Sequence, residues 1–162
     1  MARKTGNEML CDSRDMPKIV ELTDPKGIAK NGGTRMLIAP PLAYDAVMKR
    51  VPYGKVVTSD AIRRYLAVRH GADGTCPLTA GIFINVVARA SEERGADGTP
   101  YWRTLKKNGE LNEKYPGGVE AQGLRLEQEG HTILQKGARC FVRDYRKSAY
   151  ELDGDQATAK TR

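Results

Sequence analysis

The chain has 162 residues, enough for one domain with a real core and short ends to spare. Its 27 Lys and Arg against 20 Asp and Glu leave a formal net charge of +7 and a pI near 9.4, a balance that favours polyanions as partners. No apolar run reaches the ~18 residues of a membrane span, and the opening MARKTGNEML lacks the apolar stretch of a secretory leader.

Cys11, Cys76 and Cys140 are odd in number, far apart and without metal-ligand spacing, so they read as reduced thiols rather than a disulfide framework or a metal site. The expectation is a soluble cytoplasmic protein (nucleoid-associated in a bacterium), with no metal, no cofactor and no membrane partner. Residues 1–34 mix charges with Gly and Pro (DPKG, KNGG) and read as a loosely ordered extension, in which only PKIVEL suggests a short extended element. The domain is expected over residues 35–150. In PPLAYDAVMKRV, Ala43, Val47 and Val51 fall at i, i+4 and i+8 with Leu42 and Ala46 alongside, a helical stripe opened by prolines. PYG breaks that helix and KVV forms a short β segment after it. Thr58 or Ser59 caps the next helix, with Asp60 in its first turn, where the helix dipole favours a carboxylate. Ile62, Tyr65 and Leu66 face inward there, leaving Arg63, Arg64 and Arg69 largely outward. HGADGT is a turn, and Pro77 opens a second helix, PLTAGIFINVVARASEER, running to about Arg94.

Two helices joined by a short Gly-containing turn suggest a helix-turn-helix. Beyond it, YWRTL reads as a strand, KKNGEL as an Asn-Gly turn, VEAQGLRLEQEG as a helix closed by Gly130, and HTILQKGARCFVRDY as a hairpin turning at Gly137. That hairpin sets Lys136, Arg139, Arg143, Arg146 and Lys147 against Asp144 alone. Phosphate contacts are one use for such charge, and guarding an exposed strand edge is the other. Residues 151–162 are polar and aperiodic and read as a disordered tail. The fold class expected is mainly α with short β hairpins, a winged-helix-like helix-turn-helix domain.

The order VPYGKVVT, capped helix, LTAG opening a second helix, Pro-aromatic-aromatic-Arg, NG, YPGG and LEQEGH resembles the DNA-binding domain of the O6-alkylguanine-DNA alkyltransferases over about Pro41 to His131. In that family a Pro-Cys-His-Arg segment supplies the acceptor thiolate, and a late Glu completes a Cys-His-Glu relay. Here the segment is Pro100-Tyr101-Trp102-Arg103, and Glu129 matches the Glu. Alkyl transfer needs a thiolate and a neighbouring base. A phenol with a pKa near 10 is a poor substitute, and an indole N–H cannot act as a base. The resemblance therefore implies an alkyltransferase-like protein that does not act as an enzyme. It would bind double-stranded DNA, with alkylated guanine as the candidate lesion, hand it to repair proteins, and work as a monomer. The alternative is a repurposed winged-helix scaffold that binds a protein or small ligand in the old pocket.

By this resemblance Tyr101, Trp102, Arg103, Tyr115, Gly117 and Gly118 would line a pocket for a flipped base. Tyr53, Lys55, Ser59, Arg63, Leu78, Thr79, Asn85 and Arg89 would meet DNA. Leu78 stands where the family inserts an Arg into the duplex, and Ser59 where it has a Tyr. Plainer roles stay open beside these. Trp102 could be a core anchor, Arg103 could hold loop carbonyls, and Tyr115 with its glycines could shape a turn. Leu78 could be core, Asn85 and Arg89 could face water, and Glu129 could be an ordinary helix-end carboxylate.

Overall fold

The computed structural model describes residues 4–152, and its order begins where the sequence suggested looseness. A first helix, α1 (Gly6–Leu10), is opened by a capping box. The Thr5 hydroxyl accepts from the Glu8 N–H at 3.1 Å, and the Glu8 carboxylate accepts from the Thr5 N–H at 2.8 Å. The Glu93 carboxylate then receives the N–H groups of Gly6 and Asn7 at 2.6 and 3.0 Å and the Asn7 side-chain amide at 2.9 Å. Leu10 is buried in the main core. A helix of five residues is too short to show an apolar period, and its main partner lies 87 residues away. The expected loose extension is thus corrected to a packed segment.

Residues 18–38 are ordered too. Strand β1 (Lys18–Glu21) is joined through α2 (Pro25–Asn31) to its antiparallel partner β2 (Arg35–Ile38). The Asp24 carboxylate caps α2, and Gly32 closes it at a positive φ of 88°. Gly6 tests how firmly the N-terminal segment is seated. A Cβ there would lie 2.7 Å from the Ala90 nitrogen and 2.9 Å from the Arg89 carbonyl carbon, both backbone atoms that cannot swing aside. Gly6→Ala is expected to cost about 1–3 kcal/mol of stability by overpacking, measured as a lower urea midpoint. Wild-type stability in that variant would show that the α1 contact is loose.

Next comes α3 (Pro41–Met48), which buries Tyr44, Asp45, Val47 and Met48 and leaves Leu42 and Ala46 outside. Strand β3 (Val57–Thr58) leads into α4 (Ser59–Arg69), whose cap is Thr58, its hydroxyl accepting from the Ala61 N–H at 3.2 Å. Ile62, Tyr65 and Leu66 are buried as their spacing predicts. Strand β4 (Gly74–Thr75) adds in parallel to β2, completing a sheet of order β1-β2-β4. Then α5 (Pro77–Arg94), 18 residues long, forms the spine of the molecule, packed on both α1 and α3.

YWRTL is only partly the expected strand. Tyr101–Arg103 make a 3-10 turn, and Thr104–Leu105 alone form β5, parallel to β3. The reason is that Trp102 and Arg103, neighbours in sequence, both donate to the one Glu129 carboxylate, which the opposite-facing side chains of a strand would not allow. Helix α6 (Gly118–Gln128) precedes the antiparallel hairpin of β6 (Ile133–Lys136) and β7 (Arg139–Val142), which turns at Gly137 with φ 62°. The architecture is predominantly helical with three small sheets. Its apolar residues form a larger cluster around α3, α4 and α5 and a smaller one of Val56, Leu105, Leu111, Leu126 and Val142, and Trp102 packs against both. Leu152 is buried as well, so the chain stays packed to the end of the described residues, and the rest of the expected tail, residues 153–162, lies outside them.

Candidate functional site

The residues singled out in the sequence fall into two neighbouring places. The first is organised by Glu129, the C-cap of α6. Its carboxylate accepts from the Gly54 N–H at 2.9 Å, the Trp102 indole N–H at 2.8 Å, Arg103 Nε at 3.0 Å and Arg103 Nη2 at 2.9 Å. Arg103 Nη1 donates onward to the Val51 carbonyl at 2.9 Å, so this side chain does hold a loop carbonyl. The Arg103 and Glu129 side chains are only 12% and 4% exposed. Burial raises the Glu129 carboxyl, but the Arg103 guanidinium with the Gly54 and Trp102 N–H groups outweighs it and holds the group below the usual carboxylate range. Such a carboxylate is a structural tie, saturated with donors.

Aromatic packing completes this place. The Arg125 guanidinium sits 4.3 Å from the Trp102 ring centre. Tyr101 meets Trp102 and Tyr115 edge-on at 5.5 and 5.0 Å, and both tyrosines are buried. The Tyr101 hydroxyl donates to Glu92 at 2.9 Å, and burial together with that carboxylate pushes the phenol up to about 12. The Tyr115 hydroxyl donates to the Thr104 carbonyl at 2.9 Å, and burial raises it above the usual phenol range. At neutral pH both phenols are protonated and committed. The open aromatic faces expected of Tyr101 and Tyr115 are therefore absent, because the rings fill one another's surroundings. Trp102 and Arg103 instead border a shallow depression with Tyr53, Leu124, Arg125 and Gln128. Tyr53 is 69% exposed there, its hydroxyl donating to the Gln128 carbonyl at 2.9 Å.

The second place is a cleft of about 440 Å³ between the N-terminal half of α5 and residues 104–115. It gathers Ser59, Arg63, Leu78, Asn85 and Tyr115 from the sequence-derived set. Leu78 is 71% exposed, which removes its reading as core, and Ile82, one helical turn on, is 51% exposed. The two make an apolar lip. Facing it are Lys106, Lys107 and Lys114, of which, among the described residues, only Lys106 is tied by ion pairs, to Glu113 at 3.1 Å and Glu110 at 3.9 Å. Asn112 donates to Asn85 Oδ1 at 3.0 Å across the cleft. The hydroxyl of Thr104 on its lining is buried and has no hydrogen-bond partner among the described residues. Arg63 is held by Asp60 at 2.8 Å, which stiffens the wall.

Lys55, Thr79 and Arg89 do not line the cleft; Lys55 and Arg89 are exposed, and Thr79 is half-buried. Gly117 and Gly118, with φ of 82° and 69°, open α6 and also stand outside it, so the turn-shaping role is the one their backbone requires. In the basic hairpin, Arg139 is pinned to Glu110 at 2.8 Å and Arg143 lies 3.8 Å from Asp144. Sequence reasoning missed Ile82, Thr104 and the three lysines. Ile82 had a usable signal in its four-residue spacing from Leu78, whereas nothing local marks Thr104.

This arrangement has counterparts among solved structures. S. pombe Atl1 in complex with damaged DNA containing O6-carboxymethylguanine matches with a TM-score of 0.51 at 20% identity, over 68% of this chain and 94% of that one. The chain has the alkyltransferase-like fold. A second structure, S. pombe ATL in complex with DNA, matches with a TM-score of 0.50 at 19% identity, over 80% of this chain and 99% of that one. No protein-family model and no curated protein matches the sequence.

Proposed function

We propose that this chain is a non-catalytic DNA-binding protein of the alkyltransferase-like type, which takes an alkylated guanine flipped out of a duplex into the cleft beside α5. The observation that carries the reading is the lip itself: two exposed apolar side chains on the first turns of a long helix, opposite three lysines across one cleft. Leu78 and Ile82 would enter between base steps and unstack them, as apolar wedges do. Lys106, Lys107 and Lys114 would take phosphates. The Asn85–Asn112 pair would meet the base edge. In this reading α4 and α5 serve as the helix-turn-helix and β6–β7 as the wing, and the DNA complexes of the two similar structures support the choice of partner.

The chemistry stops at binding. Tyr101 occupies the acceptor position as a buried, protonated phenol bonded to Glu92, Trp102 offers no base, and Glu129 is filled by donors. None of the three cysteines lines the cleft. Incubation with radiolabelled O6-methylguanine duplex is expected to leave no label on the protein. In an anisotropy titration across a salt series, a lesion duplex should bind more tightly than a plain one. The log–log slope should be roughly −0.9 per phosphate contact, so about −3 for three lysines. Stoichiometric label, or affinity indifferent to salt and lesion, would sink the proposal. The second of those outcomes would favour a repurposed scaffold for a protein or small ligand.

A further inference from the structure

Next to the cleft lies a second cavity of about 450 Å³, walled by β3, the start of α4, the turn Lys107–Gly109 and residues 145–152. Its size falls within the ~300–1,000 Å³ typical of small-molecule sites. The two cavities are neighbours, with Asp60 and Lys107 on the lining of both. Three cations border the second one, Arg64, Lys107 and Arg146, and none makes an ion pair with any described carboxylate. Of the two carboxylates on its lining, Asp60 is already held by Arg63 at 2.8 Å, and Glu151 stands exposed. Tyr145 and Tyr150 add aromatic walls.

The cavity is built rather than incidental. The Val56 N–H donates to the Ser148 carbonyl at 2.9 Å and the Tyr150 N–H to the Val56 carbonyl at 2.8 Å, which fastens the last segment to β3. Tyr145 lies directly over Gly109, where a Cβ would meet its ring. We propose that this cavity is a second nucleotide site, in which Arg64, Lys107 and Arg146 hold a phosphate and the tyrosines border the sugar and base. Aromatic walls with surrounding cations are the chemistry that seats nucleotides. The ligand has two sources, a nucleotide of the strand leaving the cleft or a free nucleotide. The strand source rests on the reading of the cleft as a duplex site.

The test uses the full chain and the double variant Arg64→Ala/Arg146→Ala, both positions being exposed and a matched melting temperature serving as the control. Two lesion duplexes are titrated, one ending at the cleft and one extended by a helical turn of about 10 base pairs. On the extended duplex the variant is expected to lose about 2 from the magnitude of the salt slope, one phosphate for each cation removed. The short duplex should show no change. In a parallel titration with dAMP, amide NMR shifts should move at Val57–Ala61 and Tyr145–Tyr150 in the wild type and stay still in the variant. An unchanged slope with dAMP shifts at the cavity assigns the free nucleotide as ligand. An unchanged slope with no such shifts overturns the site. If the wild type binds neither duplex, the cleft reading has failed by itself, and the dAMP titration decides the cavity.

Discussion

Glu129→Ala should destabilise the protein by about 3–5 kcal/mol, because it strands a buried guanidinium without its partner. Arg103 is 12% exposed and has its Nε and Nη2 aimed at this one carboxylate. The same change removes the acceptor for the Trp102 indole and the Gly54 N–H, so three segments of chain lose a common tie. Glu129→Gln keeps an acceptor but not the charge, and its loss should be smaller. The pH dependence gives a separate check. The folded-state carboxyl is held below the ordinary value of 4.5, so its stabilisation is fully present above pH 4.5 and disappears as pH falls through the lowered folded value. The stability gap between wild type and Glu129→Gln, measured by urea melts, should therefore narrow steadily below pH 4.5. A gap that stays constant down that range, or Glu129→Ala at wild-type stability, would show that the ion pair is not what fastens this corner.

Leu78→Glu is expected to abolish preference for a lesion duplex, weakening binding about 100-fold or more. A carboxylate at the lip faces base edges and phosphates, and like charge at a contact costs several kcal/mol. Leu78→Ala should cost about tenfold, as it shortens the wedge without repelling the duplex, and Leu78→Met should bind nearly as wild type. Stability should not move in any of these, since the side chain is 71% exposed. Fluorescence of 2-aminopurine placed beside the lesion reads unstacking directly, and it should rise on binding wild type and Leu78→Met but not Leu78→Glu. Equal affinity of all four proteins for the lesion duplex would remove Leu78 from the mechanism.

Legibility in the sequence varied along the chain. Helix α5 begins at Pro77 and ends at Arg94 as proline placement and apolar content predict, and α4 takes its cap from Thr58. The hairpin turns at Gly137 as its spacing suggests. These features are local, and local signals are enough for them. The packing of residues 5–34 was not legible, because Gly6 is held by Glu93 and Gly33 lies against Asp73, partners far off in the sequence. The orientation of Leu78 was hidden for another reason. Helix α5 is apolar nearly all round, with Ala80 and Ile84 buried and Ile82 exposed among similar neighbours, so no stripe marks its inner face. The inward packing of Tyr101 and Trp102 was not legible either, because it depends on Tyr115, Arg125 and Glu92 arriving from other elements.

The clasp of Glu93 on α1 has a mechanical meaning once Leu78 is regarded as a working edge. A tool that pries bases apart needs an abutment, or the handle recoils instead of the load giving way. At 18 residues α5 is a rod about 27 Å long, and its prying end is the one that faces outward. Its far end is bolted between the N-terminal segment and α3, with Ala88 and Ala90 fully enclosed and the Glu93 carboxylate gripping α1. On the proposed reading, the first helix and its cap would serve the duplex from the opposite end of the lever, as the footing against which the blade pushes.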